Sequence, residues 1–102
     1  MSRLQKLQGL WDVDPSDPDV AYMIAQEHAS AGDYAGAVSW YDRCLDLDPE
    51  YHYAYFHRAR ALEAIGRTDD AAATLRDGLE RARDAGHRKA TEEIAAYLES
   101  LG

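Results

Sequence analysis

The sequence predicts an all-α fold, a stack of antiparallel helix pairs built from about six helices. Three observations carry that reading. Asp12-Val13-Asp14-Pro15 returns 34 residues later as Asp46-Leu47-Asp48-Pro49, and Gly32, Ala25, Ala37 and Leu45 return at the same offset as Gly66, Ala59, Ala71 and Leu79. Glycine and proline punctuate structure for stereochemical reasons, so their recurrence at one period marks repeated turns. Between the marks, apolar residues follow the 3.6-residue helical period, and no bounded window alternates apolar and polar residues as a half-buried strand would.

Residues 2–12 carry Leu4, Leu7, Leu10 and Trp11, which lie 34 residues before Val38, Tyr41, Cys44 and Leu45. They read as the second helix of a repeat whose first helix is absent from the sequence. Residues 18–51 form the first full repeat. Its first helix, with Val20, Tyr22, Ile24, Ala25 and Ala29, ends at Ala31-Gly32, a natural left-handed terminator. Asp33 is placed to cap the next helix, where Tyr34, Ala37, Val38, Tyr41 and Leu45 make one apolar stripe ending near Leu47. Asp48-Pro49 reads as an N-cap followed by a proline in the first helical position. Residues 52–85 repeat the unit, with Tyr51, Tyr55, Ala59 and Leu62 striping the first helix, a stop at Gly66, and Ala71, Leu75, Leu79 and Ala82 on the other. Residues 87–101 then form a terminal amphipathic helix through Ala90, Ile94, Tyr97, Leu98 and Leu101, which caps a single domain spanning residues 1–102.

These residues resemble the tetratricopeptide repeat family, whose 34-residue unit runs W-x-x-L-G-x-x-Y, then A-x-x-x-F, then A and P. The first repeat shows Ala21-x-x-Ile24-Ala25-x-x-His28, Ala37-x-x-x-Tyr41, Cys44 and Pro49; the second shows Tyr55-x-x-Arg58-Ala59-x-x-Leu62, Ala71-x-x-x-Leu75 and Gly78. The resemblance is strong over roughly residues 18–85 and implies a right-handed α-solenoid. Its small residues stand where helix axes approach to roughly 8–10 Å. Two positions depart from the pattern. Arg58 replaces a buried leucine and is expected to snorkel to water or to pair with an acid, Glu92 or Glu93 of the last helix, and the repeat-ending proline is missing after Arg83.

The resemblance further implies a concave groove lined by first helices that binds a peptide or partner segment. The matching positions are Asp19, Tyr22, Gln26 and Ser30 in the first repeat and Tyr53, Phe56, His57, Arg60 and Glu63 in the second. Rigid aromatics beside an arginine give contact area at low entropic cost together with a donor fork for a carboxylate. The Lys and Asn residues of the family's clamp for C-terminal carboxylates are replaced here by Tyr22, Gln26 and His57, so that mode is not expected. The expected function is a non-catalytic protein-interaction module. The alternative is a self-assembling homodimeric scaffold without a dedicated ligand.

Composition bounds the remaining classes. Eleven basic residues against nineteen acidic give a net charge of −8, which argues against nucleic acid or an anionic membrane as partner. The acids concentrate in residues 12–51, and a basic partner segment would suit that stretch. One cysteine, Cys44, excludes an internal disulfide, and it stands at a small-residue packing position that favours a buried, inert thiol. Asp12, Asp14, Asp17 and Asp19 resemble an acidic cation loop but lack the central glycine and distal glutamate that calcium needs. His28, His52, His57 and His87 form no zinc motif. No metal, cofactor or catalytic grouping is expected, and neither a leader nor a membrane span is read in the sequence, so a cytoplasmic location is the expectation.

Overall fold

A computed structural model describes residues 1–101. The described residues form six helices and no strand: α1 (Arg3–Val13), α2 (Pro18–Ser30), α3 (Tyr34–Leu47), α4 (His52–Ala64), α5 (Thr68–Asp84) and α6 (Arg88–Leu101). Each helix packs on the next in the chain, and α6 also reaches back to α4. Short connections force successive helices to run antiparallel. The result is a slab of 40 × 29 × 18 Å.

Two kinds of turn alternate, and both are written in the sequence. Three helices end on a glycine in the left-handed region: Gly32 (φ 82°), Gly66 (φ 81°) and Gly86 (φ 69°). Each closes with paired backbone bonds that satisfy otherwise orphaned carbonyls. Asp33 N–H donates to His28 O at 2.9 Å and Gly32 N–H to Ala29 O at 3.0 Å, and the same pair recurs at Gly66 and Gly86. The helices preceding Pro15 and Pro49 end on an extended aspartate instead. Asp14 (φ −143°, ψ 90°) and Asp48 (φ −144°, ψ 93°) adopt nearly the same conformation, which the following proline favours.

Asp17 and Pro18 start α2 as cap and first helical residue, and the Asp17 carboxylate accepts from Asp19 N–H. Asp48 and Pro49 do not start α4, contrary to the reading above. Asp48 closes α3, its carboxylate accepts from Glu50 N–H at 3.0 Å, and α4 begins only at His52, behind Tyr51, which makes no side-chain cap bond. An aspartate before proline serves either end of a helix, and here the turn across Pro49 takes its oxygen. α5, without an Asp-Pro stop, runs 17 residues, and His87 caps α6 by accepting Ala90 N–H on Nδ1 at 3.1 Å.

The core is built from small residues between a few large ones. Ala21, Ala25, Ala37, Ala59, Ala71 and Ala90 have no exposed surface, and Tyr41, Ile24, Leu62, Leu75 and Ile94 are the largest fully buried side chains. α4 and α5 approach closely at Gly78. A Cβ placed on Gly78 would stand 2.6 Å from the Cβ of Tyr55, so only glycine admits the tyrosine there. One repeat earlier the matching positions hold Ala21 and Cys44, both buried: small and medium replace large and none. The Tyr55 hydroxyl leaves the core to donate to Pro49 O at 2.8 Å.

Arg58 takes a different partner from the one the sequence indicated. Its Nε donates to Asp42 of α3 at 2.7 Å and its Nη1 to the buried Thr74 of α5; Glu92 and Glu93 play no part. The second helices before and after α4 both border Arg58, whereas α6 meets another side of α4. One repeat earlier the equivalents of Arg58 and Thr74 are Ile24 and Trp40, which pack with Leu7, Val20 and Trp11 in a separate apolar cluster. Trp11 and Trp40 meet edge to face at 5.2 Å, and both are half-buried.

Candidate functional site: a concave aromatic face

The first helices α2, α4 and α6 share one side of the slab. Between α2 and α4, floored by Tyr34 and Tyr41 of α3, opens a cleft of about 610 Å³. Its walls are Gln26, Ala29 and Ser30 on one helix and His57, Arg60, Ala61, Glu63 and Ala64 on the other. Of the polar lining groups, Ser30, Arg60 and Glu63 are exposed, and Gln26 and His57 are half-buried. A volume in the range of about 300–1,000 Å³ admits side chains or a short segment.

A continuous row of rings runs along this side. Tyr51 lies 4.9 Å from Tyr22; Tyr22 meets His57 at 5.9 Å and Tyr41 at 5.8 Å; His57 stacks on Tyr41 at 6.3 Å and meets Phe56 at 5.4 Å; Phe56 meets Tyr97 at 5.1 Å. These separations are those of favourable aromatic pairs. The row therefore crosses from α2 to α6 without a gap. Two tyrosine hydroxyls fasten it: Tyr51 donates to Asp19 at 2.8 Å and Tyr97 to Glu63 at 2.7 Å. Those bonds tie α4 to α2 and α6 to α4, and so fix the spacing of the helices that bear the cleft.

The electrostatics follow from this packing. Burial, then the neighbouring Arg60 guanidinium, holds His57 below its ordinary value of 6.5, so the imidazole is neutral at pH 7. Burial also raises Tyr22 and Tyr41, and raises Tyr51 and Tyr97 with help from their carboxylate acceptors, so all four keep their protons. Arg60 is exposed and lies within 4 Å of no carboxylate among the described residues. It is a cation free to meet an incoming acceptor. Cys44, raised to about 12 mainly by burial, is a thiol rather than a nucleophile at neutral pH.

Of the residues singled out from sequence, the structure places Gln26, Ser30, His57, Arg60 and Glu63 on the cleft wall, and Tyr22 and Phe56 in the ring row beside it. Asp19 stands at the edge as the acceptor of Tyr51. Tyr53 meets the ring of His87 on the α5–α6 turn at 6.3 Å and also lies near enough to Tyr22 to add, after burial and Cys44, to the upward shift of that hydroxyl. Tyr34, Tyr51 and Tyr97 also belong to this face and were not read as such. Tyr51 sits outside the repeat positions that correspond to the groove, and only its aromatic character hinted at a role, whereas Tyr97 stands 34 residues after the groove position Glu63, a signal that the repeat offset carried. Among the described residues no His, Cys, Asp or Glu cluster could hold a metal ion, and no helix is long and apolar enough to cross a membrane.

Comparison with known proteins agrees with this architecture. Residues 28–94 match the family model described as tetratricopeptide repeat. The chain is 36% identical over 72 residues to TPR repeat-containing thioredoxin TTL4 of Arabidopsis thaliana, covering 70% of this chain but only 10% of that protein's length. It is 29% identical over 68 residues to an uncharacterized protein of Methanocaldococcus jannaschii, covering 67% of this chain and 79% of that protein. Among solved structures, a tetratricopeptide repeat domain protein from Salinibacter ruber superposes with a TM-score of 0.79 at 33% identity, over 86% of this chain and 89% of its own. PcrH, solved in complex with the chaperone binding region of PopD, shares the fold with a TM-score of 0.89 at 21% identity, over 96% of this chain and 74% of its own. With the family model matching more than half of its length, and with glycine turns, buried alanines and paired helices recurring along it, the chain belongs to the tetratricopeptide repeat family.

Proposed function

We propose that this chain is a non-catalytic protein-interaction module that holds a partner segment in the concave cleft between α2 and α4. The observation that carries the reading is the unbroken ring row from Tyr51 to Tyr97 beside a cleft lined by the exposed Arg60, which pairs with no carboxylate among the described residues. Rings held by one another lose little freedom on binding, and an arginine in that setting supplies orientation. Asp19, Gln26, Glu63 and Ser30 add polar contacts, and Tyr53 extends the surface toward His87. A chain of the same fold, PcrH, was solved with a segment of another protein, which is compatible with this use of the architecture. The size of the cleft favours a short segment, and affinity near the micromolar range follows from a contact well below the roughly 1,600 Å² of a standard interface.

A peptide selected on the wild-type chain from a random library tests the proposal. Binding by calorimetry is expected to weaken at least tenfold in the double variant Phe56→Ala, Arg60→Ala. It is expected to stay unchanged in Arg76→Ala, on the exposed outer side of α5. Equal affinity in both variants would remove the cleft from the account.

A further inference from the structure

The cleft between α2 and α4 is lined by polar side chains that the fold leaves unused. Tyr41 is the sharpest case. It is only 2% exposed, yet its hydroxyl makes no hydrogen bond among the described residues. Among those residues no side-chain nitrogen or oxygen shut off from solvent lacks a partner, so this hydroxyl reaches the cleft that Tyr41 floors. The tyrosines that fasten the stack behave differently: Tyr51, Tyr55 and Tyr97 each donate to an acceptor within the chain. The side chains of Gln26, Ser30, His57 and Arg60 line the same cleft and likewise make no hydrogen bond among the described residues. Buried polar groups are paired as a rule, and an unpaired one at the floor of a cleft calls for an atom from outside the chain.

The set is rich in donors. Arg60 has no acceptor atom, and Ser30 and Gln26 each have hydrogens to give. Burial keeps the proton on Tyr41, and the Arg60 charge bears on both the Tyr41 hydroxyl and His57, which puts the three groups close together. An ionised carboxylate only accepts, and it is the group that such donors fit. Glu63 stands on the same wall, but its carboxylate accepts from Tyr97 of α6 and lies more than 4 Å from Arg60. From His57 the ring row continues in both directions, to Tyr22 and to Phe56. A segment laid along it crosses the cleft rather than ending there, so the acid it brings is a side chain and not a chain end. The net charge of −8 repels a run of acids, which leaves a single one among apolar residues as the fit.

We propose that the cleft takes one aspartate or glutamate side chain of a partner segment, its carboxylate held between the Arg60 guanidinium and the Tyr41 hydroxyl. This rests on the interaction-module reading and adds to it the chemistry of the partner.

Short peptides with both ends blocked, selected on the wild-type chain from a synthetic random library, test it. They are expected to share one Asp or Glu at a fixed place among apolar residues. Changing that acid to its amide is expected to weaken binding about tenfold in the wild type, the scale of a charge-assisted hydrogen bond, and to have little effect in Arg60→Gln. Tyr41→Phe keeps the ring and the circular dichroism; it is expected to weaken the acidic peptide roughly three- to tenfold and to leave the amide form unaffected. Sodium propionate alone is the second probe. Saturating chemical-shift changes are expected at Arg60 Nε–H and at the His57 ring in the wild type, and neither in Arg60→Gln nor with propionamide. Peptides that occupy the cleft without a shared acid, or that bind as well in the amide form, overturn the proposal and leave the interaction module standing. So does an acid whose replacement costs as much in Arg60→Gln as in the wild type. Failure to select any peptide removes the interaction module instead, and propionate then decides the carboxylate site: a response no different from that to propionamide overturns it.

Discussion

At the scale of single residues the repeat is kept by trading volume between partners. Tyr55 has room only because Gly78 has no side chain, with 2.6 Å left for a Cβ. Gly78→Ala would raise helix propensity by up to about 1 kcal/mol and yet is expected to destabilise the chain by about 1–3 kcal/mol, because the obstruction is the root of a buried ring and not a flexible end. A thermal melt reads the sign directly; a variant as stable as wild type or more so would mean that α4 and α5 can separate without cost. His57 makes a second residue-scale prediction. Burial and then Arg60 depress its pKa below 6.5, so the folded chain binds protons less readily than the unfolded chain. The stability it contributes is whole above pH 6.5 and is lost as the pH falls through its depressed value. The decline of unfolding free energy between pH 7 and 5 is expected to be shallower in His57→Gln, and an identical slope would place the imidazole in water.

At the scale of elements, each helix is fixed by its ends as much as by its stripe. Asp33 starts α3 by accepting Gly36 N–H at 3.0 Å, and its other oxygen meets His28 Nδ1 at 3.0 Å. The Gly36 amide first, then His28, holds the carboxyl below 3.8. Its contribution is therefore present above that pH and lost as the pH falls through the lowered value. Asp33→Ala is expected to lower the melting temperature at pH 7, with the gap to wild type closing near pH 2; a gap that persists there would refer the loss to something other than the carboxylate. The helices and their glycine turns were legible because periodicity and left-handed glycines are local signals. The start of α4 was not, since Asp48-Pro49 suits either end of a helix and the choice depends on where Glu50 N–H finds an acceptor. The partner of Arg58 was not either, although a signal was present: Asp42 and Thr74 each lie 16 residues from it, the spacing that brings both flanking second helices to one point of a first helix.

At the scale of the whole molecule, one geometry follows from all of this. Alanines at the crossings let α2, α4 and α6 stand side by side, and the Tyr51–Asp19 and Tyr97–Glu63 bonds fix their spacing. Groove positions repeat with the helices, and so Gln26 from α2 and His57, Arg60 and Glu63 from α4 line the two sides of one cleft. The sequence did not reveal how far the ring row extends, since Tyr51 and Tyr97 enter from a turn and from the terminal helix, nor that Tyr53 turns toward His87. The claim on which the functional account rests is that this face receives a partner. Amide chemical-shift mapping during titration with a library-selected peptide examines it most directly. The account predicts the largest shifts at Gln26, Ser30, His57, Arg60 and Glu63; shifts confined to the outer surfaces of α3 and α5, with those five unmoved, would contradict it.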